Sequence, residues 1–323
     1  MIWSRHGGNA GLLEAQARPE GGDEVMKDSL HKPVMEEEVL RFIQPKAGMI
    51  VVDATVGLGG HALSIAQGLA PSGRLIAIDK DEESLLAAKE RLEGAGVRCD
   101  FVREDFRHLD RVLDRCGIEA ADAFVFDLGI SSYQLDNPVR GFSIRAEGPL
   151  DMRMDRSSFI SAYDLLNNLT EEEIASILWK FGQERFSRRI ANGIVRARQG
   201  TSISSTKELA DIVVKALPYK FRFQRIHPAT RTFQALRIAV NRELDSLDEA
   251  LKKAALYLNK GGRICVISFH SLEDKIVKEN FRELSRTERF RPVFKKIMRP
   301  TPEEICRNPR SRSAKMRVIE RVK

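Results

Sequence analysis

Residues 49–61 read MIVVDATVGLGGH, an apolar run that ends in an aspartate and continues into a glycine-rich turn. Residues 74–79, RLIAID, repeat the apolar run and its terminal aspartate one helical segment later. Two such runs on either side of a helix are typical of a βαβ unit with buried, parallel strands. Glycines at this turn let the backbone bend sharply and approach a ligand at the amino end of a helix.

The alternation of apolar runs and helical segments continues along most of the chain. Further strands are predicted at 99–103, 123–128 and 263–269, with closing strands at 293–297 and 315–320. One long amphipathic helix is predicted from Phe233 to about Leu258. This order predicts an α/β fold of the Rossmann-like kind with a mostly parallel sheet.

The strand pattern stops between Asn137 and Ile226, where helical segments begin at capping boxes such as those of Thr170 and Ser205. The first 27 residues carry no apolar period and no signal- or transit-peptide pattern. The predicted units are a disordered extension at 1–27, an α/β domain formed by 28–136 and 227–323, and an inserted all-helical domain at 137–226.

The composition is that of an ordinary globular protein, with 42% hydrophobic and 31% charged residues in a chain of 323. No apolar run approaches the roughly 18 residues of a membrane span, which excludes a transmembrane role. The four cysteines form no C-x-x-C pair, which argues against a disulfide scaffold and against a zinc site. We expect a cytoplasmic protein that holds no metal.

The positive charge of the chain is concentrated in two segments. Residues 180–231 hold 12 basic and 3 acidic residues, and residues 282–323 hold 14 basic and 5 acidic residues. Each segment therefore carries +9, while the whole chain carries only +7, so the remainder is acidic. Two cationic segments on an acidic body indicate contact with a phosphate backbone, although a charged face can also be simply solvated.

The glycine-rich turn and Asp79 together predict a nucleotide-like cofactor. Asp79 ends the second strand, 22 residues beyond Gly57, where a carboxylate can accept both ribose hydroxyls. The loop also fits the loose G-x-G-x-x-A pattern of nicotinamide enzymes, which keeps a dehydrogenase as an alternative. Asp53 and Asp127 favour S-adenosylmethionine, because a carboxylate at Asp53 can hold the ammonium group of an amino-acid-bearing cofactor.

Asp127, with Ser131 and Ser132 close behind it, is the predicted transfer site. An aromatic amine is a weak nucleophile, and a hydrogen-bond acceptor on its N–H improves it. The serines can equally serve as turn and helix-cap residues. No cysteine lies beside a strand end to support attack on a ring carbon, so an amine or hydroxyl acceptor is preferred.

Of the six histidines, three lie at sequence positions that can face this site. His61 follows the glycines and is predicted to line the cofactor. His227 and His270 lie at element junctions, where a structural role is the commoner outcome.

Ten motifs occur together in one order from residue 31 to the carboxyl terminus. They are HKPV at 31–34, GGH at 59–61, DLGISS at 127–132, QLD at 134–136, RGFS at 140–143, GPLDMRMD at 148–155, FGQERF at 181–186, HPATRTFQALR at 227–237, SFHSLED at 268–274 and NPRSRS at 308–313. With these motifs the chain resembles the bacterial 16S ribosomal RNA small-subunit (cytosine-N4)-methyltransferase family, the RsmH/MraW type.

The resemblance implies a class I S-adenosylmethionine-dependent fold and methylation of the N4 amine of one cytosine in the decoding region, near the P site. The implied partner is 16S ribosomal RNA or the small subunit; the choice between a monomer and a homodimer stays open. The cofactor-binding residues implied by the family pattern are Gly59, Gly60, His61, Asp79, Phe106, Asp127 and Gln134. A non-catalytic ribosomal RNA assembly factor is the other alternative.

The sequence after the fourth strand differs from a motif that is common in amino-methyltransferases. Many amino-methyltransferases carry an Asp/Asn/Ser-Pro-Pro-aromatic motif after the fourth strand, whereas this chain has DLGI at 127–130. Asp127 and Ser131 are therefore both kept as candidate proton acceptors.

The predicted RNA-binding residues are Arg185, Arg188, Arg189 and Arg231, together with the arginine-rich carboxyl-terminal region.

Overall fold

The computed structural model describes residues 33–323, so the predicted extension at 1–27 and the first two residues of the HKPV motif lie outside the described residues. The strands are β1 (Ile50–Asp53), β2 (Arg74–Asp79), β3 (Arg98–Arg103), β4 (Ala121–Asp127), β5 (Leu258–Ser268), β6 (Phe290–Pro292) and β7 (Lys315–Arg321). The helices are α1 (Glu36–Ile43), α2 (Gly60–Leu69), α3 (Glu82–Arg91), α4 (Leu109–Cys116), α5 (Ser132–Asp136), α6 (Ala162–Asn168), α7 (Glu171–Gly182), α8 (Ser187–Arg198), α9 (Thr206–Ala216), α10 (Thr230–Asn241), α11 (Glu243–Tyr257), α12 (Ser271–Arg286) and α13 (Pro302–Arg307).

The seven strands form one sheet in the order β3-β2-β1-β4-β5-β7-β6. Strands β1 to β5 are parallel, and β7 runs antiparallel to both of its neighbours. The order reverses between β1 and β4, and ligands of such sheets bind at the carboxyl ends of the strands beside this reversal. The mostly parallel, Rossmann-like fold predicted from the sequence is confirmed.

Both faces of the sheet are covered, which explains why its strands read as continuous apolar runs. Val52 and Ile76 point to one face and pack in a cluster with α4, α11 and α12. Val51 and Leu75, their neighbours in the chain, point to the other face and pack with α1, α2 and α3. Among the described residues, no helix is long and apolar enough to cross a membrane.

A third apolar cluster lies among helices and the loops that connect them. It is built from α6, α7, α8 and α9 and from the loop residues Phe142 and Leu150 that precede them. Residues 137–226 contain no strand, and the capping boxes at Thr170 and Ser205 are both formed. The cluster also includes Phe233 and Leu236 of α10, a helix that follows the predicted boundary at residue 226.

The single helix predicted from Phe233 to Leu258 is wrong, because the chain breaks it at Arg242. Arg242 adopts a left-handed conformation with φ of 51°, between α10 and α11. The cause is Asn241, whose side-chain amide donates to the Met152 carbonyl at 2.7 Å and accepts from the Met154 N–H at 2.8 Å. These bonds hold the end of α10 against the loop that begins the helical cluster.

The strand predicted at 293–297 is also wrong. Strand β6 lies just before it, and pairing with β7 continues only to the Val293 N–H, which donates to the Val318 carbonyl at 3.0 Å. Residues 294–297 then loop out before Met298 bridges to Met316. The loop is held by Phe294, whose ring packs 5.1 Å from that of Phe42 in α1.

A buried arginine fastens the helical part of the chain to the α/β part. Arg140 is only 2% exposed, and its guanidinium lies 2.8 Å from Asp81 and 2.8 Å from Glu83 of α3. The same group donates to the Met154 carbonyl at 2.9 Å. Because Asp81 is also buried, each charge depends on the other for compensation.

We expect Arg140→Met to lower the free energy of unfolding by about 3–5 kcal/mol, because it leaves the Asp81 carboxylate buried without its partner. The matched control is Arg103→Met, which removes a guanidinium whose ion pairs with Glu82 and Asp155 are partly exposed. Its cost should stay below about 1 kcal/mol. Urea unfolding of both variants measures the difference, and equal costs would contradict the role given to Arg140.

Candidate cofactor and transfer site

Three aspartates meet at the carboxyl edge of the sheet, beside the reversal of strand order. Asp53, Asp79 and Asp127 are the last residues of β1, β2 and β4. Because β1 lies between β2 and β4, their carboxylates surround the start of the glycine-rich turn. Two backbone bonds fix this turn: the Ala54 N–H donates to the Val125 carbonyl and the Val56 N–H to the Ile78 carbonyl, each at 2.9 Å.

Asp53 is the most deeply buried of the three carboxylates, at 1% exposure. Burial raises the pKa of its carboxyl to about 7, a rise that His61 and the Thr55 N–H partly oppose. The Thr55 N–H donates to this carboxylate at 3.1 Å. The fold therefore holds at Asp53 a carboxylate that gains strongly from a cationic partner.

His61 and Asp127 face each other across the turn, with 3.5 Å between Nε2 of the imidazole and a carboxylate oxygen. Burial lowers the pKa of His61, but Asp127 and Asp53 more than compensate, so the pKa lies above its ordinary value. Among residues 33–323, no group forms a hydrogen bond with either imidazole nitrogen or with the Oδ1 atom of Asp127, although all three atoms are buried. Buried polar atoms without partners at a strand-end cleft are typical of a ligand site.

Asp79 closes the glycine-rich turn from the next strand. Its two carboxylate oxygens accept from the Gly57 N–H and from the Asp81 N–H, both at 2.9 Å. Burial raises the pKa of this carboxyl to about 6, although both N–H groups oppose the rise. A carboxylate has about four lone-pair sites, so Asp79 retains capacity for hydroxyl donors.

Gly59, the residue before α2, needs to be a glycine because its backbone is left-handed and α3 packs closely against it. Its φ is 77°, and an added Cβ would lie 3.0 Å from the Leu92 side chain and 3.2 Å from the Ala88 backbone of α3. Close packing on α3 brings the amino end of α2, with Gly60 and His61 in its first turn, to the edge of the sheet. The amino end of α2 therefore presents backbone N–H groups at this turn, and such groups can donate hydrogen bonds to a ligand.

Gln134 is buried and belongs to a hydrogen-bond network around Asp81 that the sequence does not predict. Its amide donates to Asp81 at 2.6 Å, and Asp81 in turn receives Arg140. Ser131 caps α5: its hydroxyl accepts from the Gln134 N–H at 3.2 Å, and the Gln134 side chain accepts from the Ser131 N–H at 3.0 Å. The helix-cap alternative for Ser131 is therefore realised, and Asp127 is the better placed of the two candidate acceptors.

The sequence signal for Asp81 is present but ambiguous. Asp81 precedes the helical run of α3, and its side chain accepts from the Glu83 N–H at 3.2 Å as an ordinary helix cap. A cap residue needs no further partners, so the sequence does not predict that Gln134 and Arg140 converge on it.

Phe106 follows β3, as expected from the sequence, and its ring stands edge-on to Phe126 with centroids 6.0 Å apart. Asp105 beside it caps the short turn at 106–108. A cavity of about 430 Å³ opens next to these residues, between Lys80, Asp105 and the end of α10 at Asn241.

His270 and His227 both have structural partners. His270 caps α12 through Glu273, with its Nε2 atom 3.0 Å from the Glu273 carboxylate. Burial opposes ionisation of Glu273, but His270 and Arg237 outweigh it and lower its pKa. Glu243, His270 and Glu273 have ligand atoms within 4.8 Å of one another, but Arg237 already engages Glu243 through two hydrogen bonds. The Nδ1 atom of exposed His227 accepts from the Ala229 N–H.

The four predicted RNA-binding arginines are all exposed, at the start of α8 and on α10. Arg185 stacks on Phe186 and Phe221, with its guanidinium carbon 4.7 Å and 4.0 Å from the ring centroids. Arg231 donates to the Gln183 carbonyl at 3.2 Å. The Gln183 side chain accepts from the Ser271 hydroxyl at 2.9 Å, which connects this surface to the first residue of α12.

The site fits a cofactor with a ribose and a cationic amino-acid end. Asp79 has acceptor capacity left for hydroxyl groups, and the carboxyl groups of Asp53 and Asp127 can pair with cationic groups. His61 and Asp127 also have buried polar atoms that no described residue satisfies. S-adenosylmethionine has such a ribose and amino-acid end, and it carries a further positive charge on sulfur.

The chain is similar in sequence to known methylases over nearly its whole length. The MraW methylase family matches residues 28–322 of the chain. "Ribosomal RNA small subunit methyltransferase H" of Geobacter sp. (strain M21) is 46% identical over 312 residues, covering 92% of this chain and all of the relative. The protein of the same name from Pelobacter propionicus is 48% identical over 308 residues, covering 90% and 98%. The match spans nearly the whole sequence, and the chain belongs to the MraW methylase family.

Proposed function

We propose that this protein methylates the exocyclic N4 amine of one cytosine in 16S ribosomal RNA, in the decoding region near the P site. The family and the three-carboxylate site support methyl transfer with S-adenosylmethionine as the cofactor. The relatives' printed name supports a small-subunit ribosomal RNA substrate. The alternative of a nicotinamide-dependent dehydrogenase loses its support, because the chain that carries the glycine-rich turn belongs to a methylase family.

The cofactor is proposed to lie along the ends of β1, β2 and β4. Asp79 would hold the ribose hydroxyls, Phe106 would place its ring against the adenine, and Gly59, Gly60 and His61 would line the middle of the site. Gln134, whose amide donates to the Asp81 carboxylate that Arg140 also contacts, would lie beside it. S-adenosylmethionine supplies a methyl group on a positively charged sulfur, and the carboxylates of Asp53 and Asp127 are suited to that charge.

Asp127 is the proposed acceptor for the amine proton. Its Oδ1 atom has no hydrogen-bond partner in the described part of the chain, and its backbone N–H donates to the Thr55 hydroxyl at 2.7 Å. A carboxylate here can accept a hydrogen bond from the cytosine amine before transfer and the surplus proton afterwards. Ser131 would then act indirectly, by holding the first turn of α5 and Gln134 in place.

The target base is proposed to enter the site unstacked, because its N4 amine cannot reach a methyl donor inside a duplex. The helical part of the chain at 137–226 is proposed to recognise the RNA. Its exposed arginines Arg185, Arg188 and Arg189, with Arg231 of α10, would contact phosphates beside the site.

The direct test supplies radiolabelled S-adenosylmethionine with three substrates: naked 16S ribosomal RNA, small subunits lacking the modification, and whole ribosomes. We expect label in N4-methylcytidine from at least one of them, identified by nucleoside chromatography. Label in another nucleoside would overturn the N4 assignment while keeping methyl transfer. Absence of label from all three substrates would overturn the proposed function.

Asp79→Asn should weaken cofactor binding by about 10- to 100-fold, because a charged acceptor of the ribose hydroxyls becomes neutral. Isothermal titration with S-adenosylhomocysteine measures the change. Asp100→Asn is the matched control, since Asp100 lies in the middle of edge strand β3 and pairs with Arg74. Unchanged affinity in Asp79→Asn would refute the ribose role.

Asp53 should also make the stability of the cofactor-free protein depend on pH. Folding raises the pKa of this carboxyl from its ordinary value of 3.8 to about 7, so the folded state favours the protonated form. Stability from this group is therefore present at low pH and is lost as the pH rises between about 4 and 7.

Asp53→Asn removes this dependence and should be more stable than the unsubstituted protein above pH 7, by on the order of 1–4 kcal/mol. The two should converge near pH 4. Urea unfolding at several pH values measures the difference between them. A difference that stays constant with pH would contradict the raised pKa.

A further inference from the structure

Two aromatic rings stand exposed on a short basic segment of the helical part. Tyr219 is 74% exposed and Phe223 is 76% exposed, and their rings meet edge-on with centroids 5.4 Å apart. We call these two residues the aromatic platform. Rings of this size are usually buried, so two exposed rings side by side need a reason.

The backbone under the platform is firmly held. Phe221 lies between the two exposed rings in sequence, and its own ring packs 5.1 Å from Phe186 and under Arg185. Arg222 donates to the Leu217 carbonyl at 3.0 Å and to the Lys215 carbonyl at 2.9 Å, at the end of α9. Both anchoring residues lie between the two exposed rings in sequence, so the platform is presented by a fixed turn.

The surroundings of the platform are positively charged. Residues 218–226 contain Lys220, Arg222 and Arg225 and no acidic residue. The exposed side chains of Arg188 and Arg189 lie one turn along α8 from the Phe186 ring that anchors the segment. Exposed rings interleaved with cationic side chains are the combination with which proteins bind single-stranded nucleic acid, by stacking on bases and neutralising phosphates.

We infer that the aromatic platform stacks unpaired bases of the RNA substrate, next to the cytosine that is methylated. This inference rests on the proposed function and names a contact that specifies how the RNA is held. Charge complementarity argues for RNA as the occupant, since a second copy of this chain would bring its own +9 segment against the same surface.

The platform is connected to the transfer site through the fold. Arg185 lies two residues after Gln183, whose side chain accepts a hydrogen bond from the Ser271 hydroxyl at the start of α12. Phe269, in the loop between β5 and α12, lies 3.5 Å from the position that a Cβ of Gly129 would occupy, two residues beyond Asp127. These contacts link the segment that carries the platform to the end of β4, beside which the target cytosine is proposed to bind.

The test compares RNA binding by aromatic and charge variants. Tyr219→Ala and Phe223→Ala should each weaken binding of a short fluorescent single-stranded RNA by roughly tenfold, without changing the slope of log affinity against log salt. The swaps Tyr219→Phe and Phe223→Tyr keep a ring and should retain affinity. Lys220→Gln with Arg225→Gln should instead make the salt slope shallower.

The matched control is Leu256→Ala, which removes an apolar side chain of similar exposure, 76%, from α11. It should leave RNA affinity unchanged. All variants should bind S-adenosylhomocysteine as the unsubstituted protein does, which verifies that they are folded. Methylation of small subunits lacking the modification should fall with RNA affinity in the two alanine variants.

Two outcomes would overturn the inference. One is RNA affinity within twofold of the unsubstituted protein in the Tyr219→Ala/Phe223→Ala double variant, while the unsubstituted protein methylates RNA normally. The other is a change in sedimentation of this double variant with unchanged RNA affinity, which would assign the platform to contact between copies. Failure of the proposed function is distinct, because the unsubstituted protein would then transfer no label to any RNA.

Discussion

Burial of carboxyl groups at the edge of the sheet is the constraint on which the rest of the molecule depends. Parallel strands bring Asp53, Asp79 and Asp127 to one edge. Burial disfavours the ionised forms of Asp53 and Asp79, and neighbouring aspartates add a smaller contribution. His61 and a few backbone N–H groups offset part of this cost. The remainder must come from the apolar clusters on both faces of the sheet, which hold the strands in register whether or not a ligand neutralises the site.

A second requirement is that the helical part of the chain and the α/β part keep a fixed relation. Two buried polar side chains, Arg140 and Asn241, meet this need by hydrogen bonding to the backbone of one loop, 152–154. Polar groups suit such a junction because each needs particular partners in a particular geometry, whereas apolar contacts tolerate sliding. The same Arg140 reaches Asp81 and thereby Gln134, so one network serves both the junction and the cofactor site.

The sequence predicts the features that depend on local pattern. All five parallel strands, the capping boxes and the glycine-rich turn follow from apolar periodicity and side-chain chemistry, and the structure places them near the expected residues. The break at Arg242 could not be predicted, because the residues around it favour a helix and the cause lies some ninety positions away in the Met152 carbonyl. The site divides similarly: strand-end aspartates are visible in sequence, whereas the Asp81 network depends on three distant segments.

The two edges of the sheet affect how readily a strand from another copy of this protein can pair with it during folding. Strand β3 lies at one edge with Arg98, Asp100 and Arg103 along it, and their charges oppose the approach of another strand. At the other edge β6 has only three residues and ends in Pro292, which has no N–H to donate. Both open edges therefore resist the strand addition that begins aggregation, even though five buried strands between them are apolar enough to promote it.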